Sequence, residues 1–62
     1  MNNLKTLLES IDTEINTFKK ESTVNIEKLN KAAGTRARKS SLLITSLLKK
    51  YRAESIKTDN TI

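Results

Sequence analysis

The chain has 62 residues, a formal net charge of +5 and neither cysteine nor histidine. Disulfides and the usual zinc ligands are therefore excluded, and a domain this small is marginal unless self-association adds burial. No apolar run approaches the roughly 18 residues of a membrane span, and the Met1-Asn2-Asn3 start lacks the regions of a signal peptide, so a soluble, cytoplasmic protein is expected.

In chain order, the first half reads as one amphipathic helix, about residues 3–29. Leu4, Leu8, Ile11, Ile15, Phe18, Ser22, Asn25 and Leu29 alternate steps of four and three residues, a heptad seam. Leu7 and Ile26 widen it, while Lys5, Glu9, Asp12, Lys19 and Glu27 fall on the far side. Thr6 and Glu9 have capping-box spacing, but Leu4 already belongs to the stripe, which moves the expected cap to Asn2 or Asn3. Ser22 and Asn25 put polar groups in the seam and Thr23-Val24 adds β-branched residues, so this is the helix's weak segment.

The second half repeats the pattern through Ala33, Ala37, Ser41, Ile44, Leu48, Tyr51 and Ser55, with Leu43 and Leu47 alongside. It predicts a helix over about 33–57, followed by a disordered tail at 58–62. Proline is absent and Gly34 is the one glycine, so the link is poorly marked. Gly34 costs a helix interior only about 1 kcal/mol, and Asn30 is an equally good turn residue or cap for helix two. Two all-α architectures compete: an antiparallel hairpin folding back near Leu29 to Gly34, or one long helix in a coiled coil. Two successive steps of four, through Ala33 to Ala37, form a stutter that interrupts a continuous seam and favours the hairpin. Two hairpins pairing into a four-helix bundle bury both stripes better than one does.

Charge is divided along the chain. Residues 1–27 carry three bases against five acids, a net of −2, and residues 28–57 carry nine bases against Glu54, a net of +8. From Lys28 to Arg52 there is no acid at all. Such asymmetry points to a polyanionic partner. At about 100° per residue, Lys31, Arg38 and Lys49 share one direction on helix two, with Lys39 and Lys50 beside it, opposite the apolar stripe. Arg36 and Arg52 reach round the two edges on long stems. These seven, Lys31, Arg36, Arg38, Lys39, Lys49, Lys50 and Arg52, are the candidate contacts to the phosphates of double-stranded DNA. Phe18 and Tyr51 sit in the stripes as core residues, which leaves little to stack unpaired bases on. Enzymatic chemistry has no support: no nucleophile–base pair, phosphate loop or buried carboxylate pair is present. No cofactor, metal, membrane or small-molecule substrate is expected. The competing reading is a coiled-coil module whose basic face binds an acidic protein or an anionic membrane.

The segment Asn30 to Leu42, N-K-A-A-G-T-R-A-R-K-S-S-L, followed by Leu47 to Lys57, L-L-K-K-Y-R-A-E-S-I-K, resembles the histone H1-like DNA-binding proteins of chlamydiae and related short proteins of Bacteroidetes. The resemblance implies a nucleoid-associated protein that binds and compacts DNA with little sequence preference. It implies contacts at Lys31, Arg36, Arg38 and Lys39 in the first motif and at Lys49, Lys50, Tyr51 and Arg52 in the second. Chlamydial members extend into a long Lys/Ala/Pro-rich tail, whereas this sequence stops at Ile62. Compaction is therefore expected from a homodimer that bridges duplexes through two basic surfaces.

Overall fold

A computed structural model describes residues 2–61, except for the side chains of Asn2 and Thr61. Two helices, α1 (Asn2–Lys28) and α2 (Lys31–Thr61), pack against each other as a hairpin. The Cα envelope is a rod of 49 × 14 × 11 Å. Among the described residues there is no strand.

Why the chain reverses where it does follows from two residues. Leu29 has φ of 51°, the left-handed conformation that ends helices and that non-glycine residues adopt at a cost of roughly 1–2 kcal/mol. Asn30 then starts α2: its Oδ1 accepts a hydrogen bond from the Ala33 N–H at 3.0 Å, satisfying one of the free donors of the first turn. Its backbone carbonyl accepts two more, from the Gly34 N–H at 3.1 Å and from Asn25 Nδ2 at 3.0 Å. The turn thus rests on one asparagine held by another.

Gly34 lies inside α2 without a positive φ, so conformational freedom is not its purpose. Space is. A Cβ there would stand 2.6 Å from Asn25 Nδ2 and 3.0 Å from Asn25 Cγ. The glycine leaves a path for the Asn25 amide to cross over α2 and reach Asn30.

The hairpin is the architecture found, and the single long helix is not. Three details depart from the sequence pattern. α2 begins at Lys31, two residues earlier than expected, because Asn30 is the cap. It also runs to Thr61, so residues 58–61 are helical rather than a disordered tail; no proline or glycine stands there to stop propagation. Ile62 lies outside the described residues. α1 passes unbroken through the weak segment, where Thr23 Oγ1 donates to the Lys19 carbonyl at 2.8 Å. Asn3, an expected cap, lies within the helix.

The third departure concerns which columns are buried. On α1 the face toward α2 is Leu4, Leu7, Ile11, Glu14, Phe18, Glu21 and Asn25, whereas Leu8, Ile15 and Leu29 of the expected seam are exposed. On α2 the inward line is Ala33, Ala37, Ser40, Ile44 and Leu47, with Leu48 and Tyr51 both 39% exposed. Each interface is rotated by part of a turn from the apolar stripe's centre. Among the described residues, Ile11, Ala33 and Ala37 are the buried apolar ones, Ser40 is buried beside them, and no large side chain is fully enclosed. Phe18 is half-buried. A core this thin stabilises little, since burying a Leu or Ile fully is worth only about 1.5–3 kcal/mol.

Candidate nucleic-acid interface

Lys31, Arg36, Arg38, Lys39, Lys49, Lys50 and Arg52 are all on α2 and all exposed. The helix sorts them by direction. With 3.6 residues per turn, Lys31, Arg38 and Lys49 point within about 40° of straight away from α1. Lys39 and Lys50 lie toward one flank, Arg36 lies further round on that flank, and Arg52 is on the opposite one. Along the axis they form two groups. Lys31 to Lys39 occupies the turn end and Lys49 to Arg52 the other half, separated by Ser40 to Leu48, nine residues without a charge. Lys39 and Lys49 are thereby about 15 Å apart along the helix.

The seven are not equivalent. Arg36 Nε donates to Glu21 Oε1 on α1 at 3.0 Å, with side-chain exposures of 55% and 16%. A pair this open contributes about 0.2–1 kcal/mol, but it turns Arg36 toward the hairpin and neutralises part of its charge. Arg38 reaches back along its own helix, its Nη2 donating to Thr35 Oγ1 at 3.4 Å, while the Thr35 hydroxyl donates to the Lys31 carbonyl at 3.2 Å. Arg38 keeps the outward direction. The first turn of α2 contains no acid, and the positive end of the helix dipole adds to Lys31 there.

One feature of this face escaped the apolar pattern. Leu42 points directly away from α1, between Arg38 and Lys49, and is 73% exposed; Ile56 is exposed two heptads further along the same side. The signal was available in the sequence, because Leu42 falls opposite Ala33 and Tyr51 on a helical projection and so cannot share their stripe. No group of His, Cys, Asp or Glu able to hold a metal ion occurs among the described residues, and no helix among them is long and apolar enough to cross a membrane.

The family model Histone H1-like protein Hc1 matches the chain over residues 2–61. No curated protein matches it, and no solved structure does.

Proposed function

Because the chain belongs to the Histone H1-like protein Hc1 family, which points to a DNA-binding protein of the nucleoid, we propose that α2 binds duplex DNA along its phosphate backbone without reading base sequence. The observation that carries this is the outward face of α2: Lys31, Arg38, Lys39, Lys49 and Lys50 are exposed and no acid stands between Lys31 and Ala53. Lys and Arg on one face neutralise phosphates and release counterions, a gain independent of base identity. With 3% aromatic residues, stacking on unpaired bases contributes little. Bridging follows if two chains associate and present two such faces.

The test is the salt dependence of binding to unrelated duplexes. Neutralising some four to six phosphates gives a log–log slope of roughly −4 to −5, equal across sequences. A flat dependence or affinity confined to one sequence overturns the reading. Arg36→Ala combined with Arg38→Ala weakens DNA binding while helix content is kept, and most of the loss comes from Arg38, since Arg36 is engaged by Glu21. An unchanged affinity would remove these residues from the site.

Leu42 and Ile56, exposed among the bases, favour one second reading, adsorption to an anionic membrane. Vesicles containing acidic lipid that compete with duplex DNA on equal terms would support it.

A further inference from the structure

α1 carries five acids, Glu9, Asp12, Glu14, Glu21 and Glu27. Among the described residues, Glu21 is the one of them that holds a base of α2. The two partners are held unequally. Glu21 stands in the inward column of α1 between Phe18 and Asn25, half-buried like both of them, whereas Arg36 is exposed. The bond from Arg36 Nε to Glu21 Oε1, 3.0 Å long, uses one of the five N–H donors of the guanidinium.

We infer that Glu21 occupies the place of a phosphate on Arg36 and withholds it from the duplex, so that Arg36 joins the DNA contacts only by exchanging this carboxylate for a phosphate. The inference rests on the proposed DNA-binding reading and deepens it, by naming the residue that limits how many bases act at once. Direction is the first observation behind it. At about 100° per residue, Arg36 is rotated about 60° from Lys39 and about 160° from Arg38, and the contact with Glu21 draws it further toward α1. Held there, it does not reach a duplex lying on Lys31, Arg38 and Lys49; released, its long stem carries the guanidinium round the flank to the side of Lys39. Chemistry is the second. Carboxylate and phosphate use the same guanidinium donors, and a phosphate can take two parallel bonds where Glu21 takes one. A duplex also presents a negative charge about every 1.7 Å of its axis, so it competes with many anions against a single fixed one. Mobility is the third. Packing fixes the carboxylate, and the exposed, long-stemmed arginine is the part free to move. An ion pair this open is weak, so its exchange tunes affinity by a small factor and does not act as an all-or-none gate.

The experiment compares two acids of the same column. Glu21→Ala and Glu14→Ala each remove one negative half-buried side chain from α1, but only the first frees Arg36. Binding to a duplex of mixed sequence is measured against salt for both, with helix content checked by circular dichroism. Glu21→Ala binds about twofold to fivefold tighter than Glu14→Ala, the range an exposed ion pair allows, and its log–log salt slope is more negative by about 0.9, one further phosphate. In an Arg36→Ala background the two changes become equivalent. If Glu21→Ala loses helicity, Glu21→Gln keeps the side chain's shape, drops its charge and moves affinity in the same direction. Equal affinities for the two variants overturn the inference, as does a gain that survives in the Arg36→Ala background. Weaker binding by Glu21→Ala also overturns it, because Glu21 would then be aiming Arg36 at the duplex. A flat salt dependence of the unaltered chain removes the DNA-binding reading and this inference together; a slope of roughly −4 to −5 with equal variants removes this inference alone.

Discussion

The two ends of the hairpin are built on different terms. At the turn, small residues of α2 let α1 approach closely and hydrogen bonds fix the geometry: Ala33 is fully buried, Gly34 and Ala37 are buried, and Asn25 passes over Gly34 to hold Asn30. At the open end, Asn3, Thr6, Leu7 and Ser10 of α1 and Lys50, Ala53 and Glu54 of α2 line a cleft of about 520 Å³. Helix spacing follows the side chains at the contact. The turn end is therefore specified by absence of bulk, and the free end by flexible side chains with room to spare.

Changes of side-chain volume test this contrast most severely. Ala33→Leu adds three heavy atoms where there is no space for them, and costs about 3 kcal/mol. Ala53→Leu, beside the cleft, costs less than about 0.5 kcal/mol. Urea unfolding followed by helical circular dichroism, at one fixed chain concentration, compares them; equal costs would mean that the ends do not differ. The cap comes next. Asn30→Ala removes the bond to the Ala33 N–H and the turn's anchor, at about 1–2 kcal/mol. Leu29→Gly acts in the other direction, relieving a left-handed leucine that is 83% exposed, and raises stability by about 1 kcal/mol. The smallest effect is the most diagnostic. Gly34→Ala gains about 1 kcal/mol of helix propensity but displaces the Asn25 amide, which costs about as much. Alone it is close to neutral; in an Asn25→Ala background it stabilises by up to about 1 kcal/mol. Additivity of the two changes would show that Asn25 does not explain the glycine.

Much of this was legible in the sequence. Leu4, Ile11, Phe18 and Asn25 form the inward column of α1 as their heptad spacing requires, and Asn30 is a cap that can be read from its side-chain chemistry. The charge split placed the basic face on α2 without a structure. What periodicity could not decide is which flank of a broad stripe meets which neighbour. Leu8 and Ile15 are as apolar as Leu7, yet α2 packs on the Leu7 side, where Glu14 and Glu21 are half-buried and Arg36 offers an ion pair. A one-dimensional pattern counts apolar residues and carries no label for the partner that covers them. Gly34 was opaque for a related reason: its neighbour in space, Asn25, is nine positions away, on the other helix. The helical run through Thr61 was missed because a polar, unpatterned segment gives no positive signal for helix, only the lack of a stop.

The length of α2 has a consequence for how many of its charges can act together. Its 31 residues span about 46 Å, longer than one turn of a duplex, about 34–36 Å. A straight rod laid on a winding strand meets phosphates only where the strand crosses beneath it. The uncharged interval between Lys39 and Lys49, about 15 Å, is close to the roughly 12 Å width of the major groove, so on the proposed DNA-binding reading the two basic groups would sit where crossings fall and the gap would face open groove. Of the eight bases on α2, only those at crossings would neutralise a phosphate at any moment under that reading, which is why the proposed salt slope corresponds to four to six contacts and not to the full complement.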